Sequence, residues 1–209
     1  MSICFPDDDC WYSIGFIDNI IDKFNTYPLY ETICVSVFDP IKNRPYGNRP
    51  NNLLSNITFK NVVQLPVSVG IFTRDNMLKA KGIKFNENLG AGTFYGGGEE
   101  TAFLCSILKH KGKIIYDGSL SVYHEVDDYN QISLEKVKKY SRGYGYIVGA
   151  ILADKRYEVI PSILFFIIKS IAALLIRGYK KKHLLMYSTR IKFFFIGIFA
   201  AFKSEEDIF

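Results

Sequence analysis

The sequence predicts an α/β domain followed by a basic, apolar C-terminal tail. Two observations carry that expectation. Along residues 1–155, short runs rich in β-branched residues alternate with runs of helical period, the pattern of strands and helices packed in layers. The charge then changes character. Residues 159–209 hold eight Lys/Arg against three acidic residues, whereas residues 1–158 balance eighteen against eighteen, so the net charge of +5 belongs to the tail. With 209 residues, 48% hydrophobic and 15% aromatic, the chain can build one core plus an appendage and is too apolar for general disorder. An electroneutral domain gives no support to nucleic-acid binding. The four cysteines (Cys4, Cys10, Cys34, Cys105) form no CxxC pair and no ligand spacing with histidine. That argues against a zinc site or a disulfide framework and suits a reducing compartment. No secretory-signal pattern is visible at the N-terminus.

Taken in order, Ile3–Phe5 reads as a strand ended by Pro6. Tyr12–Phe24 places Ile14, Ile17, Ile20, Ile21 and Phe24 at the spacing of an amphipathic helix. Thr32–Phe38 is β-branched and strand-like. Asp39–Asn56, with three prolines and five asparagines, predicts a long loop. Asn61–Phe72 resumes strand character, and Asp75–Lys81 predicts a short helix closed by Gly82. Residues 85–98, with Gly90, Gly92 and Gly96–Gly98, predict a loop that needs unusual backbone angles. A helix starts at Glu99 and ends near Gly112. Lys113–Tyr116, Asp117-Gly118 and Leu120–His124 read as strand, turn and strand. Leu134–Ala153 reads as a helix interrupted by Gly143, Gly145 and Gly149.

Three clusters carry chemistry. Asp7-Asp8-Asp9 follows a strand, where ligands sit in open α/β sheets, and adjacent carboxylates there can hold Mg²⁺ or Mn²⁺. A solvated acidic turn, or an N-cap for the next helix, is the other reading. Gly96-Gly97-Gly98-Glu99-Glu100-Thr101 lets backbone approach a ligand while a carboxylate points at it, although acids also favour a helix's first turn through the macrodipole. Val122-Tyr123-His124 puts a histidine at a strand end, where it can complete an oxygen-rich metal site or simply make a hydrogen bond.

The order of these clusters, together with Asn88-Leu-Gly-Ala-Gly-Thr93, resembles family 2 glycosyltransferases of the GT-A fold, in particular bacterial enzymes of surface-polysaccharide assembly. The resemblance covers roughly residues 3–150 and is most specific at the glycine loop with its two glutamates. The acidic triplet looks like that family's DxD motif, and Glu99-Glu100 stands in the place of its Glu-Asp pair. What the resemblance implies is an inverting, metal-dependent sugar transfer from a nucleotide-sugar donor to a glycan or polyprenyl-linked acceptor. Asp9 would coordinate Mg²⁺ or Mn²⁺. Asp7 would contact the ribose or the ion's water shell, beside Asp8. Glu100 would be the base, preceded by Glu99, with glutamate where the family more often has aspartate. His124 would be a metal or diphosphate contact. Arg142, in a mobile glycine-flanked segment, would approach the diphosphate.

Only six residues precede Asp7, fewer than the roughly 30 that a βαβ unit needs. The expected catalytic part, residues 1–155, therefore lacks the first βαβ units of that fold, and a separately encoded N-terminal half is an expected partner. A non-catalytic remnant or partner subunit is the alternative reading. A carboxylate-based phosphoryl-transfer enzyme is a third, but it gives the glycine–glutamate loop no task. In the expected membrane-attachment tail, 156–209, Val159–Ile176 and Ile191–Phe202 are apolar runs on either side of Arg177-Gly-Tyr-Lys-Lys-Lys-His183. That pattern predicts interfacial helices on the cytoplasmic face of the inner membrane, with two helices buried in a larger core as the other reading.

Overall fold

A computed structural model describes residues 2–126, 132–204 and 208–209. The fold is α/β, with one mixed sheet and two apolar C-terminal helices. Its contacts divide the chain into two compact units, Met1–Lys84 with Phe103–Asp127 and Phe85–Ala102 with Asp128–Phe209. The expected catalytic part is thus apportioned between both units, and residues 156–209 belong to the second.

The first unit holds the sheet. Its strands are β1 (Ser2–Cys4), β2 (Cys10–Trp11), β3 (Thr32–Asp39), β4 (Arg44–Pro45), β5 (Leu54–Ile57), β6 (Ile71–Arg74) and β7 (Ile114–His124). The order is β1-β6-β3-β7-β2, with β4 beside β3 and β5 beside β7. Only β3 and β7 run parallel. Both faces of β3 are covered, which is why its β-branched run needs no polar alternation. Helix α1 (Phe16–Thr26) lays Phe16, Ile20 and Phe24, spaced i, i+4 and i+8, over Ile33, Val35 and Val37 of β3. Each such burial contributes about 1.5–3 kcal/mol. The expected stripe differed. Ile14 is exposed because the helix starts only after Gly15, which sits in the left-handed region at φ 74°, and Ile17 and Ile21 are exposed because the buried stripe runs through Phe16, Ile20 and Phe24.

Three other expectations are corrected. Asn61–Phe72 is not a strand over most of its length. Residues 58–65 form helical turns, with Asn61 Oδ1 accepting the Thr58 N–H at 2.8 Å and Pro66 following. Asparagine offers the backbone a local partner, and proline removes a ladder donor. The long loop after β3 also contains β4 and the start of β5. Asp117-Gly118 is not a hairpin turn but a bulge within one strand. Val35 lies opposite Asp117 while the next residue, Ser36, lies opposite Ser121. The bulge is held by Asp117, which accepts from the Ser119 N–H at 3.0 Å and hydroxyl at 2.6 Å and pairs with Lys23 at 2.6 Å. Helix α2 (Asp75–Lys81) ends as expected, at Gly82 with φ 63°.

Helix α3 (Glu99–Lys109) starts in the second unit and continues in the first. The rest of the second unit is α4 (Leu134–Ala153), α5 (Ile160–Arg177), α6 (Lys181–Lys203) and the loop before α3. Helix α4 is not interrupted at its glycines. A Cβ on Gly145 would overlap the Phe194 carbonyl oxygen of α6, and one on Gly149 would lie 2.9 Å from the Ala201 Cβ. These glycines are where the two backbones meet. Gly145→Ala is therefore expected to lower the thermal midpoint followed by far-UV circular dichroism. Overpacking costs about 1–3 kcal/mol, which outweighs a helix-propensity gain of about 1 kcal/mol. An unchanged or higher midpoint would show that the helices are not this close.

Candidate metal centre

The centre is built by one short register. After β1, Phe5 packs edge-on against Phe103, with centroids 5.3 Å apart. The chain then turns through the acidic triplet, with the Cys10 N–H donating to the Asp7 carbonyl at 3.4 Å. β2 pairs antiparallel with the end of β7, with Cys10 opposite His124 and Trp11 opposite Tyr123. That pairing sets Asp9 beside the histidine. His124 Nε2 lies 3.1 Å from Asp9 Oδ1 and 4.0 Å from Asp7 Oδ2. One ligand atom from each of Asp7, Asp9 and His124 lies within 4.8 Å of the other two. The side chains of Asp7 and Asp9 are 55% and 65% exposed and that of His124 is 17% exposed, so the group opens to solvent on its carboxylate side.

The histidine is oriented from behind. Its Nδ1 is 2.6 Å from the Glu125 carbonyl, an acceptor only, so Nδ1 carries the proton. Nε2 then faces the carboxylates, where it either donates to Asp9 or shares a cation with it. A backbone carbonyl behind a ring nitrogen is the usual support for a metal-ligating imidazole. Tyr46 packs its ring against His124 at 5.6 Å, nearly perpendicular. Asp8 is exposed in the same turn and lies outside the trio. The triplet does not cap α1, whose N-cap position is Gly15 and carries no side-chain cap.

Asp39, at the end of β3, is the supporting residue that the sequence reading missed. Its carboxylate is fully buried, and it accepts the N–H groups of Ile41, Lys42 and Val126, each at 2.9 Å. It thereby ties down the backbone two residues beyond His124. Lys42 adds an ion pair at 3.6 Å and a hydrogen bond to the Val126 carbonyl. The signal available was an aspartate between a β-branched strand and a proline. Burial by itself would raise the Asp39 pKa, but the three N–H donors and Lys42 outweigh it and hold it below the ordinary value. Asp117 behaves in the same way: burial opposes ionisation, and Lys23 and Ser119 override it. A depressed carboxylate stabilises the fold above its unfolded pKa, about 3.9, and that stability is lost as pH falls through the folded value. Asp39→Asn is therefore expected to lower the thermal midpoint at neutral pH and to flatten its decline below about pH 4. An equally steep acid decline in the variant would show that Asp39 is not the group responsible.

In the second unit, the glycine loop has the backbone that the sequence requires, with φ of 99° at Gly90 and 100° at Gly98. Thr93 closes it, donating its hydroxyl to the Gly90 carbonyl at 2.9 Å and accepting the Gly96 N–H at 3.2 Å. Glu99 and Glu100 are the first two residues of α3, and both are partly exposed. The Glu99 carboxylate lies against Gly90, where a Cβ would come within 2.9 Å of its Cδ. Its Oε2 is buried with no hydrogen-bond partner. Such an oxygen requires a donor from elsewhere. Arg142 sits in continuous helix, not in a mobile segment. Its guanidinium lies 3.4 Å over the Phe94 ring and donates to the Phe94 carbonyl, while Nε is buried without a partner. Burial lowers the Arg142 pKa, against the opposing pull of Glu135 and Tyr95. Cys34 is fully buried and its thiol is pushed well above the ordinary range, which rules it out as a nucleophile. No protein-family model matches the chain, and no curated protein matches it either.

Proposed function

We propose that the chain is an inverting, metal-dependent glycosyltransferase of the GT-A type. It would move a sugar from a nucleotide-sugar donor to a glycan or polyprenyl-linked acceptor in surface-polysaccharide assembly. The observation that best supports this reading is the convergence of Asp7, Asp9 and His124 at a strand end. Two hard carboxylates with one imidazole fit Mn²⁺ better than Mg²⁺, which prefers an all-oxygen octahedron. When bound, such an ion neutralises the charge that grows on the departing nucleoside diphosphate. Asp9, His124 and Asp7, whose Oδ2 lies 4.0 Å from His124 Nε2, would hold the ion, and Glu125 fixes the imidazole through its carbonyl. Glu100 removes the acceptor hydroxyl's proton as that oxygen attacks the anomeric carbon. Glu99 accepts a hydrogen bond from a sugar hydroxyl through its unpartnered Oε2.

The test is differential scanning with Mn²⁺, alone and together with a panel of nucleotide diphosphate sugars. Mn²⁺ should raise the midpoint, and one donor should raise it further only when Mn²⁺ is present, because a ligand that binds only the native state stabilises by mass action. Donor binding that is unaffected by Mn²⁺ would end the metal-dependent reading.

A further inference from the structure

Helix α5 is amphipathic in the inverted sense. Its buried residues are Ser162, Ile163 and Ser170, with the Ser170 hydroxyl donating to the Phe166 carbonyl at 2.7 Å. Most of its exposed residues are apolar, among them the large side chains of Leu164, Phe165, Ile168 (64% exposed), Ile171, Leu175 (79%) and Ile176, while Lys169 and the terminal Arg177 are exposed as well. A helix on the surface of a water-soluble protein shows the opposite order. At about 100° per residue, these six residues form one stripe about 140° wide, with Ile168 near its middle. Lys169, the one cation of the helix before its terminal Arg177, lies at the border of that stripe, with Nζ 5.8 Å from the Phe165 ring. Helix α6 is different. It packs Phe194, Gly197, Ile198 and Ala201 inward, and its outer face mixes Phe195 and Phe199 with Ser188 and Lys192. Where the two helices meet, Arg177 ends α5, Lys180 lies between them and Lys181 and Lys182 begin α6, all exposed.

Both helices are long and apolar enough to cross a membrane, but the charges in α5 argue for another placement. The apolar span Tyr157–Arg177 has 21 residues, about 31 Å against a hydrocarbon core of about 30 Å, so its length does not discriminate and its charge does. Upright insertion would put Lys169 near the midplane. Lying flat, the same residue reaches the headgroups from the edge of the apolar stripe.

We propose that α5 is an in-plane anchor on an anionic bilayer, with the face centred on Ile168 among the acyl chains and the basic turn at its C-terminal end on the headgroups. The positive charge beside the stripe is the reason for assigning the stripe to lipid rather than to a second copy of the chain. The placement rests on the second unit alone and holds whatever reaction the chain performs.

The test uses the full chain in flotation with vesicles of phosphatidylglycerol and phosphatidylcholine, against phosphatidylcholine alone. Binding to the anionic vesicles is expected, weakened about 100-fold by replacing Lys180, Lys181 and Lys182 with alanine, at about 1 kcal/mol per cation. Ile168→Glu should abolish flotation without changing the circular dichroism spectrum, and Ile168→Val should preserve it. Depth is read in a Trp11→Phe background with Phe165→Trp or Ile176→Trp and lipids brominated at different depths. These two positions share nearly the same angle on the helix but lie about 16 Å apart along its axis. Equal, shallow quenching supports the in-plane anchor. Depths that differ by most of that length would mean a spanning helix and overturn the proposal. So would failure to float together with a stable dimer in detergent-free buffer, since a second copy would then cover the stripe.

Discussion

Asp9→Ala is expected to weaken Mn²⁺ binding by about 100-fold or more, since even the partners behind a metal ligand typically cost about 10–100-fold. Asp9 Oδ1 is the carboxylate oxygen nearest His124 Nε2, at 3.1 Å. Removing it leaves the imidazole facing only Asp7, at 4.0 Å. Sugar transfer should fall by about 1,000-fold, because an ion of this kind supplies several kcal/mol of transition-state stabilisation and about 1.4 kcal/mol is tenfold in rate. Asp8→Ala provides the contrast. Asp8 is exposed and outside the trio, so its removal should leave affinity nearly unchanged. Calorimetry with Mn²⁺ reads the affinity, independently of catalysis. Similar losses from Asp8→Ala and Asp9→Ala would mean that the triplet acts only through its net charge, as a solvated acidic turn does.

The parts of the fold that could be read from sequence are those set by local chemistry. Thr32–Phe38 is β-branched enough to be a strand on its own, Gly82 stops α2 with a left-handed backbone, and the glycines before α3 take the positive φ that their clustering implies. The misread parts depend on partners distant in sequence. Asp117-Gly118 carries a good turn signal, yet β3 runs alongside on both sides of it, so the chain bulges and continues. Gly145 and Gly149 look like helix breakers when only α4 is considered. They are required once α6 crosses there, and nothing near them in sequence announces Phe194 or Ala201. The inverted face of α5 is a matter of which side is covered, which composition does not encode.

The candidate site divides along the same line. Asp7, Asp9 and His124 were nameable because a carboxylate cluster and a strand-end histidine are local features. Their meeting depends on two residue pairs between β2 and β7. Asp39 escaped notice because its task, holding Val126 and with it the segment after His124, is a tertiary one. Arg142 looked mobile among glycines, and in the structure it is a buried prop under Phe94.

Glu100→Gln is expected to lower kcat by about 10²–10⁴-fold, the range of a positioned general base, while donor affinity measured by calorimetry stays nearly unchanged. The amide keeps the side chain's size and one acceptor oxygen but cannot take a proton. Glu99 is the competing candidate, and the structure separates the two. Its carboxylate is wedged against Gly90 with Oε2 enclosed, a setting that suits a fixed hydrogen-bond acceptor more than a group that must collect a proton and release it to water. Glu99→Gln should therefore raise the acceptor or donor KM more than it lowers kcat, because an interaction present before the transition state is lost. The pair of variants also tests the reading as a whole. On the proposed reading, a base deleted at Glu100 should abolish the acid-side limb along which activity rises with pH in the unsubstituted chain, whereas a lost positioning contact should leave the shape of the pH profile intact. If Glu99→Gln abolishes that limb and Glu100→Gln does not, the two roles are exchanged. If neither changes it, the proton leaves the acceptor by another route, and the glutamate pair serves only to start α3.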